Sequence, residues 1–153
     1  MNNLERALYQ AAASTFEDLG FMFTSDEVSD SQLALPIQTS IGVNFTGPIR
    51  GTLELRVTDS VAESLTSNML GEDTPPTDEM KQDALGELAN VICGNFLPAV
   101  GGLKDIFRIS SPQLLPLNTD SFTGLMPAAD VKIGLDGGRA DILIFFTEDH
   151  PEG

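Results

Sequence analysis

Asp83, Glu87, Asn90 and Gly94 follow one another at steps of four, three and four residues, the spacing that stacks side chains along one ridge of an α-helix. Two of these residue types can do chemistry together. An asparagine amide accepts and donates hydrogen bonds at once, so it can orient a water molecule without itself taking a proton. A glutamate one turn earlier can form a charge-assisted bond to a cationic group on another molecule. Gly86 lies beside the ridge, and a glycine inside a helix costs about 1 kcal/mol relative to alanine. Either Gly86 and Gly94 let a partner's backbone approach the Glu87–Asn90 pair, or they make room for this chain's own sheet or first helix. Sequence alone leaves both open. A solvated face is the plain alternative for an exposed Glu and Asn at this spacing.

The helix that must carry these residues has a clear start. Thr77 is a good N-cap, and Asp78 and Glu79 put negative charge in the first turn, where the helix dipole favours it. Met80, Ala84, Leu85, Leu88, Val91, Ile92 and Phe96 fall in one arc and form the expected buried stripe. Asn95 falls within that arc, which predicts a buried amide with hydrogen-bond partners. The helix is expected to run to about Leu97 and to end or kink at Pro98.

Around it, the chain offers a first amphipathic helix over about 2–19, with Leu4, Leu8, Ala11, Ala12, Phe16 and Leu19 on one face and Gly20 as its stop. A polar, acidic stretch follows around Asp26 to Gln32. Residues 39–45 and 51–57 alternate as strands about a Gly47-Pro48 turn. Thr58-Asp59-Ser60 can cap a short helix over Val61, Ala62, Leu65 and Met69 that ends near Gly71, and 72–76 is an exposed connection. Further strands are expected over 107–110, 124–133 and 140–146, with Asp136-Gly137-Gly138 as the last turn and 146–153 as a loose tail. This order predicts one α+β domain over 1–153, with long helices packed on one face of a mainly antiparallel sheet. Each half offers a long helix followed by a strand hairpin, which hints at a duplication.

The run Asp83-Ala84-Leu85-Gly86-Glu87-Leu88-Ala89-Asn90-Val91-Ile92-Cys93-Gly94-Asn95 resembles the signature helix of the CheC and CheX phosphatases. That signature is an acid or Ser, three residues, Glu, two residues and Asn, with a Pro some twenty-odd residues later. Pro112 follows Asn90 after 21 intervening residues, about one short of the usual interval. The order of elements over nearly the whole chain also looks like CheX. The first helix lacks a second Glu–Asn pair, since Glu17 is followed three residues on by Gly20, so one site per chain is implied.

The resemblance implies a CheC-like fold and a phosphatase acting on the phosphoaspartate of a CheY-like response regulator. Glu87 would contact the regulator's lysine and Asn90 would enter its phosphorylation pocket. Asp83, Gly86, Gly94 and Pro112 would support them. The chain would need no cofactor of its own, because the regulator carries Mg2+, and a homodimer paired through the sheets is expected. The alternative of the same fold is a non-catalytic domain that docks on a regulator or a motor component. The physical case stands beside this: hydrolysis of an acyl phosphate needs an in-line water and stabilised charge on the phosphoryl oxygens, and positioning does nearly all the work.

Composition narrows the alternatives. With 8 Lys and Arg against 23 Asp and Glu, the formal charge of −15 disfavours nucleic acid and anionic membrane as partners. No run of about 18 apolar residues is present and the start lacks a signal-peptide layout, so a cytoplasmic protein is expected. Cys93 is the only cysteine and His150 the only histidine, which argues against a disulfide framework, a multi-cysteine metal site and a Cys–His pair. Asp83 and Glu87 have neither a neighbouring histidine nor calcium-loop spacing.

Overall fold

The computed structural model describes residues 1–71, 74–101, 106–117 and 126–147. The first helix, α1 (Asn3–Asp18), opens on a capping box: Asn2 accepts from the Glu5 N–H at 2.7 Å while the Glu5 carboxylate accepts from the Asn2 N–H at 3.2 Å. A five-residue helix, α2 (Asp30–Ala34), precedes β1 (Ile37–Thr46) and β2 (Arg50–Thr58). Then come α3 (Asp59–Leu70), α4 (Asp78–Gly101), the two-residue strands β3 (Arg108–Ile109) and β4 (Gln113–Leu114), and the hairpin β5 (Ala129–Leu135) and β6 (Gly138–Thr147). All pairings are antiparallel, in the order β3-β1-β2-β6-β5, with β4 also pairing β1. The two long hairpins thus meet through β2 and β6, and each belongs to a half that also supplies one long helix.

One face of this sheet carries the core. Ile41, Val43 and Phe45 of β1 stand opposite Leu55, Leu53 and Gly51 of β2. With Ile142 and Ile144 of β6 and Val131 and Ile133 of β5, the buried members of these rows pack beneath Leu8 and Phe16 of α1, Val61 and Leu65 of α3, and Leu85, Leu88, Ile92 and Phe96 of α4. Alternation along each strand sends polar side chains to the other face. There Arg139 donates to Asp141 at 3.0 Å and to the carbonyls of Gln32, Leu33 and Leu35 at 2.8, 3.2 and 2.9 Å. A guanidinium that collects three carbonyls fixes the exit of α2 over the sheet.

Several expectations need correction. α4 continues through Pro98 to Gly101. Proline removes a donor and crowds the carbonyl four residues back, but that residue, Gly94, and Pro98 are both exposed, so water can take up the freed carbonyl. α1 stops at Asp18 with Leu19 as its C-cap, and the left-handed residue is Phe21 (φ 51), not Gly20. A Cβ on Gly20 would sit 2.6 Å from Leu65 Cδ1 and 2.7 Å from the Phe16 carbonyl oxygen, so glycine there serves close packing. The strand expected over 124–133 starts at Ala129 and runs to Leu135; residues 124 and 125 lie outside the described residues. β6 includes Phe146, where the expected strand and the expected tail met, and extends one residue further, through Thr147; 148–153 lie outside the described residues. The Asp136-Gly137 turn has positive φ at both residues (46° and 87°), as a two-residue hairpin of the twist-matching type requires.

Among the described residues, no helix is long and apolar enough to cross a membrane.

Candidate functional site: a groove between α4 and the β3–β4 strap

Thr77 caps α4 as its side chain accepts from the Met80 N–H at 3.2 Å. From this start, Leu85, Leu88, Ala89, Ile92, Cys93 and Phe96 turn into the core. Asp83 and Glu87 are exposed and Asn90 is half-buried. Residues 108–115 then run back along β1 as a strap: Phe45 pairs with Ile109, Gly42 with Gln113 and Ile41 with Leu114. The Ser110 N–H donates to the Asn44 carbonyl at 2.8 Å, and the Leu115 N–H to the Ser40 carbonyl at 2.8 Å. The strap lays Pro112 against α4.

Between helix and strap lies a groove of about 500 Å3. Asp83, Gly86, Glu87 and Asn90 line it from the helix, Pro112 and Leu114 from the strap. Five of the six residues expected at the site are therefore brought together. Gly94 does not line the groove; it is exposed, and a Cβ there would find only Ile109 Cδ1 at 3.9 Å. The two glycines have different reasons. A Cβ on Gly86 would stand 3.0 and 3.1 Å from Pro112 Cβ and Cγ, so Gly86 admits the chain's own strap and sets how close that wall comes to Asn90.

Asn90 Oδ1 is buried and has no hydrogen-bond partner among the described residues. A buried acceptor left unpaired costs about 1–3 kcal/mol, so its retention calls for an explanation. Exchanging the amide's oxygen and nitrogen would not remove the difficulty, because Asn90 has no hydrogen bond through either atom among the described residues. Glu87, one turn earlier and fully on the surface, has no ion-pair partner among the described residues. The site thus presents an amide with an unfilled acceptor and an unpaired carboxylate on one rigid helix.

Sequence reasoning missed other parts of the lining. Val91, expected in the buried stripe, is half-buried and faces the groove together with Gln82 and Ile41. Gln82 and Leu114 also line a neighbouring cavity of about 370 Å3 that extends to Asp59, Asp78 and Lys81, where Lys81 Nζ sits 3.1 Å from Asp59 Oδ1. Met80, also assigned to the stripe, is half-buried. Asn95, expected inside the core, is exposed; its amide donates to Thr15 Oγ1 at 3.3 Å and ties α4 to α1. Cys93 points into the core, and burial pushes its thiol from 9.0 up to about 12, far from a reactive thiolate. His150 lies outside the described residues. Among the described residues, no three His, Cys, Asp or Glu side chains gather as a metal site.

Long helices on one face of an antiparallel sheet built mainly from two hairpins place the chain in the CheC-like class of α+β folds. Solved structures share this fold. CheX from Vibrio vulnificus is 17% identical, with 95% of this chain and 97% of that one covered and a TM-score of 0.73. A chain of the CheX–CheY–BeF3–Mg2+ complex from Borrelia burgdorferi is 19% identical over 94% of this chain and 97% of its own, with a TM-score of 0.67. FliY from Thermotoga maritima is similar more distantly: 18% identity, 90% and 83% covered, TM-score 0.56. No curated protein sequence matches the chain. The family model described as chemotaxis phosphatase CheX matches residues 39–118, which include α4 and the strap. The chain belongs to the CheX family.

Proposed function

We propose that this chain accelerates hydrolysis of the phosphoaspartate of a CheY-like response regulator, with Asn90 orienting the attacking water and Glu87 pairing with the regulator's lysine. The observation that carries this is the unpaired Asn90 Oδ1, buried in the groove one turn from the unpaired Glu87. An acceptor without a partner in the free chain can take a hydrogen bond from water once the regulator closes over it. The water oxygen bonds to phosphorus as the bond from phosphorus to the aspartate oxygen breaks. The aspartate carboxylate leaves, and the water's proton passes to phosphate or solvent.

Stabilisation of charge on the phosphoryl oxygens falls to the regulator's Mg2+ and lysine. This chain contributes position. Both groups stand on α4, whose packing fixes their separation better than a loop would. The Borrelia burgdorferi complex, with CheY, BeF3 and Mg2+ beside CheX, supports a partner of this kind.

The test is phosphate release from phosphorylated CheY-like receivers of the source organism, with and without this chain. Acceleration by the wild type that Asn90→Ala abolishes, in a protein that remains folded, supports the mechanism. An unchanged rate with Asn90→Ala rejects the role of the amide. Binding that leaves the phosphate lifetime unchanged would assign the chain to the non-catalytic interaction class instead. The same reading includes a homodimer, which sedimentation at the monomer mass alone would reject.

A further inference from the structure

Beyond α1, at the β5 edge of the sheet, across from the β1 side that carries the groove, the chain holds two phenylalanines in water. Phe21 is 72% exposed and Phe23 is 93% exposed, while Met22 between them is buried. The segment is fastened on both sides. The Met22 N–H donates to the Phe16 carbonyl at 3.2 Å, Thr24 Oγ1 donates to Glu17 at 2.7 Å, and Ser25 and Gly134 of the edge strand β5 exchange two backbone bonds at 3.0 and 2.8 Å. The rings are therefore displayed by an ordered backbone. Glu17, Phe21, Met22 and Phe23 line a hollow of about 480 Å3 between them.

The backbone works against itself to do this. Phe21 takes φ 51, which costs a bulky residue about 1–2 kcal/mol, and the glycine beside it, Gly20, is closely packed against Leu65. Strain combined with paired exposed aromatics is a recurrent sign of a binding element. The chemistry of what binds follows from charge. Glu17, Asp18, Asp26, Glu27 and Asp30 surround the pair in sequence, and no Lys or Arg occurs between Arg6 and Arg50. Tyr9 senses this field: its hydroxyl is held above its usual range by burial first and by the Asp26 carboxylate next.

We propose that the Phe21–Phe23 turn is a docking site for a segment of another protein carrying an apolar side chain flanked by lysine or arginine. The apolar side chain fills the hollow, the cations meet the ring faces and the carboxylates, and both contacts strengthen as water leaves. A second copy of this chain is disfavoured because it would bring two acidic rims together, and anionic lipid is repelled in the same way. The turn lies at the β5 edge whereas the groove lies by β1 and β4, so both can be occupied at once.

The test uses the full chain, isotope-labelled for amide NMR, with a fluorescent peptide alternating leucine and arginine. Controls alternate serine with arginine and leucine with glutamate. The expected result is saturable binding of the first peptide alone, with amide shifts centred on residues 17–28. Phe21→Asn combined with Phe23→Ser should weaken it at least about tenfold, and so should Glu17→Lys combined with Asp26→Lys. Asn tolerates the left-handed backbone at position 21, which keeps the fold intact. Equal binding of the serine–arginine peptide, indifference to the phenylalanine pair, or no binding up to about 1 mM would overturn the proposal. A concentration-dependent dimer abolished by the double variant would overturn it too, by giving the surface to a second copy.

Discussion

Asn90 combines a stability cost with a position that no structural need explains. Its Oδ1 is buried without a partner among the described residues, whereas the neighbouring exposed Asn95 has found one in Thr15. Removing the amide should therefore not destabilise the fold. Asn90→Ala is expected to leave the unfolding free energy unchanged or raise it by up to about 1 kcal/mol, while phosphate release from the regulator slows about 100-fold for want of an oriented water. Denaturant melts and a phosphate-release assay on the same preparation check the two signs together. A large loss of stability would show that the amide is structural. Glu87→Gln keeps the shape and removes the charge. It is expected to raise the regulator concentration giving half-maximal rate about five- to thirty-fold, part of the value of a charge-assisted bond because Gln keeps a neutral one, with little change at saturation. Titrating the regulator separates that effect from the Asn90 effect.

The strap carrying β3 and β4 decides what the helix presents, and the two glycines of α4 report on it. A methyl group on Gly94 would meet Ile109 Cδ1 at an ordinary 3.9 Å, so Gly94→Ala should gain up to about 1 kcal/mol of helix stability. Gly86→Val has the opposite expectation. Its Cβ would stand 3.0 and 3.1 Å from Pro112, closer than an ordinary contact, and overpacking should cost about 1–3 kcal/mol and push the strap off the groove wall. Urea denaturation of both variants tests the contrast. These elements also separate what could be read in the sequence from what could not. α4 was legible because Thr77, Asp78 and Glu79 mark its start and the apolar residues repeat at helical spacing. The strand expected over 107–110 is present as β3, whereas β4, with two residues, is too short for any period, and Pro112 drew attention only through the resemblance. α2 was missed although Ser29 and Gln32 form a capping box at its start, because its five residues are too few for a helical period; its exit is held by Arg139, more than a hundred residues away in sequence. The continuation through Pro98 depends on which side of the helix faces water, which periodicity assigns only roughly.

At the scale of the whole molecule, 23 acidic against 8 basic side chains leave a compact body repelling itself. Cys93 can measure the consequence. Its side chain is fully buried among α4's core residues, and a thiol held at about 12 stays protonated at pH 8 in the folded chain. Unfolding returns it to its ordinary 9.0, so the folded state holds the proton more tightly. The stability from this group is intact below pH 9.0 and falls as pH rises from there toward about 12. Alkylation at pH 8 should accordingly proceed only through opening of the core and follow the population of the open state. Raising salt from about 0.02 M to about 0.5 M shortens the screening length from about 20 Å to about 4 Å and quiets the repulsion between carboxylates. Alkylation of Cys93 should then slow and the thermal midpoint should rise in parallel. Labelling that is fast at both salt concentrations would mean that the α4–sheet interface opens locally. Labelling that slows while the midpoint stays fixed would mean that salt acts near Cys93 and not on the charge of the molecule as a whole.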